Sequence, residues 1–403
     1  EGAGLQGVRD LVRALPALCV AASLTGCGTG GSAREEPSFG PLAGDTVGDT
    51  IVLALQSTGA WPTDRTLKPD LIIGAEGDPK VAFGYVTDVA VAPDGEIYAA
   101  ADEKAVLRFS PEGKLEAIVG RVGEGPGEYS LPQSVTVTRE GAVLVGDVTQ
   151  RRLVEFGPDD AFVRNWPRMD GYVGLGAPTI DTAGALVTTL GFPGATPRDP
   201  WRTGMIRYDT TGAVLDTVPP TEMVGQVGPA RQEFGARQYI AWHPFGFPVV
   251  GVSSEYVFDL RRVDHDIRVR RPSDPVPVSA GERSSARIRI QMMRRRGWPE
   301  ASLPPMPPEN KAAYKGIIPA RTGELWVILH GEGEVMDTVE YAGLTYVRWD
   351  EVFAADVFDV EGRYLGRVHG PFGVEPKVIR HDTVWAVAPG KMGETTVVRY
   401  LVR

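Results

Sequence analysis

Residues 81–131 read VAFGYVTDVAVAPDGEIYAAADEKAVLRFSPEGKLEAIVGRVGEGPGEYSL, and their pattern decides the fold. Runs at 86–91, 96–101, 105–109 and 115–119 are rich in β-formers, alternate apolar with polar positions and are too short for helices. They predict four consecutive strands. Asp94-Gly95 falls between the first two and Glu112-Gly113 between the last two, where a tight hairpin needs residues that tolerate φ > 0. The stretch is one antiparallel four-stranded unit, and it supplies no reactive group.

The same grammar recurs along the chain. Further units run over 133–166, 177–218, 239–271 and 316–368, with first-hairpin glycines at 95, 141, 184, 246 and 323. The wider steps before the last two come from insertions, the largest at 276–315. Residues 71–95 line up with 117–141, which makes 67–74 an outermost strand without its own first three. PKVIRHD, TVWAVAPG and TTVVRYLVR, between 376 and 403, read as three strands without a fourth. Joining the two ends predicts an all-β, six-bladed β-propeller of four-stranded antiparallel blades, closed by an N-terminal strand that completes the last blade. A chain of 403 residues could hold two or three domains, but the repeat argues for one body at 49–403.

The net charge of −10 disfavours nonspecific nucleic-acid binding, which rests on neutralising phosphates with Lys and Arg, and no nucleic-acid motif is present. Both cysteines, Cys19 and Cys27, lie near the N-terminus. Arg9 and Arg13 precede the apolar run ALPALCVAASLT at 14–25, too short to span a bilayer but suited to a signal-peptide core. Leu24-Thr25-Gly26-Cys27 resembles the bacterial lipobox. That resemblance implies a signal peptide at 1–26, lipidation of Cys27, a flexible tether over the rest of 27–48, and a place in the cell envelope, periplasmic or outer-membrane-associated. A mature body without other cysteines takes its stability from packing.

IVGRVGEGPGEY (118–129), APDGEIYAA (92–100), RFSPEGK (108–114), FDVEGRYLGRV (358–368) and VVRYL (397–401) together resemble the bacterial six-bladed β-propellers of NHL-repeat type. The likeness spans about 60–403 and implies a fold and a lipoprotein character. It implies no activity, since the shared residues form turns. The segment 239–315 departs from the pattern.

Strands of a blade alternate in direction, so loops sort by face. Turns joining strands one to two and three to four share one face and are short; the loops joining two to three, and four to the next unit, share the other. The second face collects 120–130, 190–204, 219–236, 276–315 and 330–353. Long loops on a rigid scaffold are where recognition is built. Candidate binding residues there are Arg121, Glu128, Tyr129, Arg151, Arg152, Trp201, Arg294, Arg295 and Tyr346. Residues 282–298, ERSSARIRIQMMRRRGW, predict a short helix ending before Pro299, a basic lid over the central channel.

Chemistry requires convergent groups, and the five histidines do not converge by position. His243, His265 and His381 fall on the short-turn face; His330 and His369 end the second and fourth strands of one unit, about 10 Å apart by strand spacing. His330 could pair with Glu332 or Glu334. Asp88 is the clearest carboxylate of an innermost strand and suits a hydrogen bond to a neighbouring blade's backbone. GEGPGEY has spaced glycines but no following helix, and reads as a connector. No metal or cofactor is expected. The sequence points to a monomeric, exported, lipid-anchored propeller that binds an unknown protein or small-molecule ligand through its long-loop face without catalysis. The alternative is a hydrolase or lyase at the channel mouth on that face.

Overall fold

The computed structural model describes residues 44–54, 56–74, 81, 83–101, 105–166, 178–192, 202–220, 225–229, 231–341, 343–390 and 394–403. The signal segment, Cys27 and Trp201 lie outside them.

The opening stretch forms sheet A, with antiparallel strands Val86–Val91, Ile97–Ala101, Ala105–Phe109 and Leu115–Val119. Sheet B follows with Pro132–Val137, Val143–Asp147, Arg152–Phe156 and Phe162–Asn165, and sheet C with Thr179–Ile180, Leu186–Phe192, Arg202–Tyr208 and Val214–Val218. Sheet D holds Gln238–His243, Phe247–Val252, Val257–Arg261 and Asp266–Arg270; sheet E holds Gly316–Pro319, Leu325–Ile328, Leu344–Phe358 and Tyr364–Phe372. In sheet F, Glu375–Arg380, Thr383–Pro389 and Thr395–Val402 take their fourth strand from Arg65–Ile73, which pairs antiparallel from Leu67 opposite Val402 to Ile73 opposite Val397. Gly95 (φ +97°) and Gly323 (φ +105°) occupy first-hairpin positions that other residues enter only under strain.

Burial explains why the strands are written as they are. Ile97–Ala101 is buried at every position because its sheet is covered on both faces, whereas Leu115–Val119 at the outer edge alternates with solvent. The apolar clusters lie between successive sheets: Tyr98, Val135 and Phe156 between A and B, Trp166 and Tyr208 between B and C, Met205 and Trp242 between C and D, Phe258 and Phe358 between D and E. Ile73, Trp385 and Val397 of sheet F join Val89 and Phe109 of sheet A in another.

Buried polar groups reach across the same seams. Asp88 Oδ2 accepts from the Val135 amide at 2.9 Å, as expected of an inner-strand carboxylate. Asp181 Oδ2 accepts from Trp242 Nε1 at 3.3 Å. Asp356 accepts from Tyr256 Oη at 2.9 Å and pairs with Arg271 at 3.3 Å and Arg367 at 2.7 Å.

The N-terminal segment does more than complete sheet F. Gly44–Val47 and Thr50–Leu53 form a hairpin whose second strand adds in parallel to the outer strand of sheet D. Gln56 donates to Gly362 O at 3.0 Å and accepts from the Tyr364 amide at 2.7 Å, and Arg65 and Thr66 pair with Val368 and His369 of sheet E. One strand-like run thus covers the outer edges of D, E and F, satisfying backbone groups that exposed edges leave open.

Candidate functional site

The first strands of sheets A to F line one cavity of about 1580 Å³. Its wall mixes polar and apolar side chains and is rich in threonine, including Thr87, Thr136 and Thr188. Tyr85, Gln133, Glu375 and Lys377 stand where inner strands begin, on the long-loop side; Arg139, Thr182, Arg321 and Arg380 stand where they end, on the short-turn side. Between them, burial pushes the Asp88 carboxyl up to about 6, against its bonds to the Val135 and Val89 amides and the charge of Lys377. Among the described residues no group of three or more His, Cys, Asp or Glu converges in a metal-binding arrangement.

The candidates on the long-loop side fall into separate groups. Arg121 Nε pairs with Glu128 Oε1 at 2.7 Å, Glu128 Oε2 accepts from the Gly125 amide at 2.8 Å, and Arg152 Nη2 donates to Glu128 O at 2.8 Å. These bonds fold 120–130 onto itself, and Arg121–Val122 pairs in parallel with Glu128–Tyr129. The amide of Gly125 and the guanidinium of Arg121 hold the Glu128 carboxyl below its ordinary range. Tyr129 is fully buried; its hydroxyl accepts from the Val106 amide at 3.0 Å and donates to Val119 O, so its ring is packed between sheets and closed to a partner. Arg151 is exposed in a left-handed turn conformation (φ +52°).

The second group sits on sheet E. The predicted helix is present as α1, Ala280–Arg295, opened by a reciprocal cap in which Ser279 Oγ accepts from the Glu282 amide and Glu282 Oε2 from the Ser279 amide. Arg294 pairs with Glu300 at 2.7 Å, while Arg295 is exposed. The helix packs on the strand Leu344–Phe358, where Ser285 accepts from Trp349 Nε1 at 3.0 Å. That strand runs past its sheet and folds back on Gly333–Tyr341 as a hairpin, which carries Tyr346 opposite Val339. None of the residues lining the cavity belongs to 276–315, so the helix stands on sheet E as a flanking platform and not as a lid. Trp349 also lies against Gly281 of the helix.

Enclosed charges fasten the platform. Lys311 Nζ, fully buried, donates to Glu282 Oε1 and Glu351 Oε1, each at 2.7 Å, and to Gly331 O at 2.8 Å, beneath the ring of Phe234. Lys315 and His330 Nδ1 (3.0 Å) complete the shell of Glu351. Burial alone would raise the Glu351 carboxyl, but His330, Lys315 and Lys311 outweigh it and hold it at about 2. His330 therefore pairs with Glu351 and not with Glu332 or Glu334, because the hairpin returns residue 351 beside the end of Leu325–Ile328. His369 meets Asp64 at 3.1 Å on the exterior, and burial lowers His243 to about 4 as it bonds Gly323 O. No sequence spacing links 282, 311, 330 and 351. Arg321, by contrast, had a signal: like Arg139, it stands two residues before a first-hairpin glycine, at the end of an inner strand.

No family model and no curated protein matches the chain. Solved structures do. The chain is similar to a member of the DUF4221 family from Bacteroides vulgatus, at 9% identity and TM-score 0.54, covering 85% of this chain and 99% of that one. An aldose sugar dehydrogenase from Streptomyces coelicolor with bound PQQ matches at 12% identity and TM-score 0.43, covering 85% and 99%. A streptogramin B lyase matches at 8% identity and TM-score 0.37, covering 86% and 100%. The chain is a β-propeller. At these identities the likeness is one of fold.

Proposed function

We propose that the chain is an exported, lipid-anchored propeller of NHL-repeat type with six blades, sheets A to F, which binds a ligand or protein partner through its long-loop face without catalysis. Pairing of Arg65–Ile73 with the last C-terminal strand, and the apolar seam between sheets F and A, support a closed ring. The reading of Cys27 as the anchor rests on the lipobox resemblance; C27A abolishes incorporation of a labelled fatty acid if it is right, and persistent labelling rejects it.

The observation that carries the binding reading is the fastening of α1 and the projecting hairpin by enclosed charges. A surface fixed before a partner arrives loses less conformational entropy on binding. Exposed Arg287, Trp298, Val335 and Met336 give this platform the Arg, Trp and Met character that enriches protein interfaces, and its cationic side suits an acidic protein. The test is crosslinked recovery from envelope extracts with wild type and with R287E combined with W298A, both exposed changes. Unchanged recovery rejects the platform as the interface.

An enzyme at the channel mouth is the second reading, favoured by the His330–Glu351 pair, a geometry that general bases use. The pair lies off the cavity and its carboxylate is shared with two lysines, which favours a fastening role.

A further inference from the structure

We infer that the short-turn end of the channel is an oxyanion-binding site, in which Arg321 and Arg380 hold the carboxylate or phosphate group of a small molecule. The two guanidiniums hang from neighbouring carbonyls of sheet A: Arg321 Nη1 donates to Val91 O and Arg380 Nη1 to Ala92 O, each at 3.2 Å. The two cations lie near enough for the charge of Arg380 to act on Arg321, and both line the cavity. Each spends one of its five N–H donors in this way. No ion pair among the described residues includes either one.

That arrangement is costly without a ligand. Like charges brought together in a half-buried place repel and lose hydration, and each would be relieved by an anion between them. Burial, then the charge of Arg380, lowers Arg321 from its ordinary value, and Asp88 opposes this only in part. Buried and half-buried acidic groups of the same wall are otherwise engaged: Asp88 accepts from the Val89 and Val135 amides, Glu155 is taken by Arg164 and Trp166, and Asp181 accepts from Trp242. Glu140 stands at the rim with Arg139, which adds a third cation to the entrance. Paired guanidinium forks match the planar oxygens of a carboxylate or the oxygens of a phosphate better than they match a halide. The walls restrict the bearer of that group to a molecule that fits about 1580 Å³.

The test is calorimetric titration of the full chain with inorganic phosphate and, separately, citrate, at constant ionic strength balanced with chloride. Saturable binding of one equivalent by either anion is expected, weakened at least about tenfold in R321Q and in R380Q. R399Q, which removes an arginine paired with Asp70 on an outer strand, should leave it unchanged. Binding of citrate alone assigns a carboxylate ligand, and binding of phosphate alone a phosphate. R380K keeps the charge and should retain part of the affinity, which covers the case of a glutamine variant that fails to fold. Absence of saturable heat with both anions up to about 10 mM, or equal affinity in wild type, R321Q and R380Q, overturns the assignment.

Discussion

Two groups of buried or half-buried cations stand on opposite faces of this propeller and are neutralised in opposite ways. On the long-loop side, Lys311 and Lys315 are met by Glu282 and Glu351, with His330 completing the shell. On the short-turn side, the guanidiniums of Arg321 and Arg380 donate, among the described residues, to two carbonyls and enter no ion pair. Charges matched within the chain act as a fastener, since breaking them costs stability. Charges left unmatched at a cavity wall are held in readiness for something outside the chain. The face with the long loops is thus the more finished structurally, and the face with the short turns carries the open valence.

The widest separation between the two groups should come from deleting a single cation. K311M leaves two enclosed carboxylates without their shared partner, and removing one member of a buried pair costs about 3–5 kcal/mol. Urea unfolding should show that loss, and K311M combined with E282Q should recover part of it. A loss below about 1 kcal/mol would mean that water reaches Glu282 and Glu351 and that the platform is not fastened there.

A pH scan sharpens the contrast among the buried carboxyls. Glu351 falls from 4.5 to about 2 on folding, so its contribution is complete above about 4.5 and is lost as pH falls toward 2, about 3 kcal/mol in all. Asp88 rises from 3.8 to about 6, so its contribution is complete below about 4 and is lost as pH climbs through 6, a further 3 kcal/mol or so. Unfolding free energy should therefore rise on the acid limb and decline toward neutrality. E351Q should flatten the first limb and D88N the second; a scan unchanged by both substitutions would refute the assignments.

The repeat was legible because it is local. Asp94-Gly95, Glu112-Gly113 and the short alternating runs announce strands and turns within a few residues of each other, and the three strands after 375 openly lack a fourth. Even the bond of Asp88 to the next sheet follows from an acid placed on an inner strand. The fasteners were not legible, because Glu282, Lys311 and Glu351 meet only through the hairpin that extends Leu344–Phe358 beyond its sheet. Tyr129 misled for a related reason. An aromatic after a glycine-rich loop looks like a contact residue, yet its ring fills the seam between sheets A and B. The pairing of the 44–53 hairpin with the edge of sheet D has no local signal, because its partner, Asp266–Arg270, is more than two hundred residues away.

The smallest expected effect is the most discriminating. R380Q removes a half-buried cation and its bond to Ala92 O, which taken alone would cost about 1 kcal/mol. It also removes the repulsion that, after burial, lowers Arg321, a gain of opposite sign. The two effects oppose each other, and unfolding free energy should stay within about 1 kcal/mol of wild type in chloride buffer. Thermal melts in chloride and in phosphate check this: wild type should gain stability in phosphate, and R380Q should gain less. A large loss in chloride would place Arg380 with Lys311 as a fastener, since an arginine that holds the fold together is already matched and has nothing left to offer a ligand.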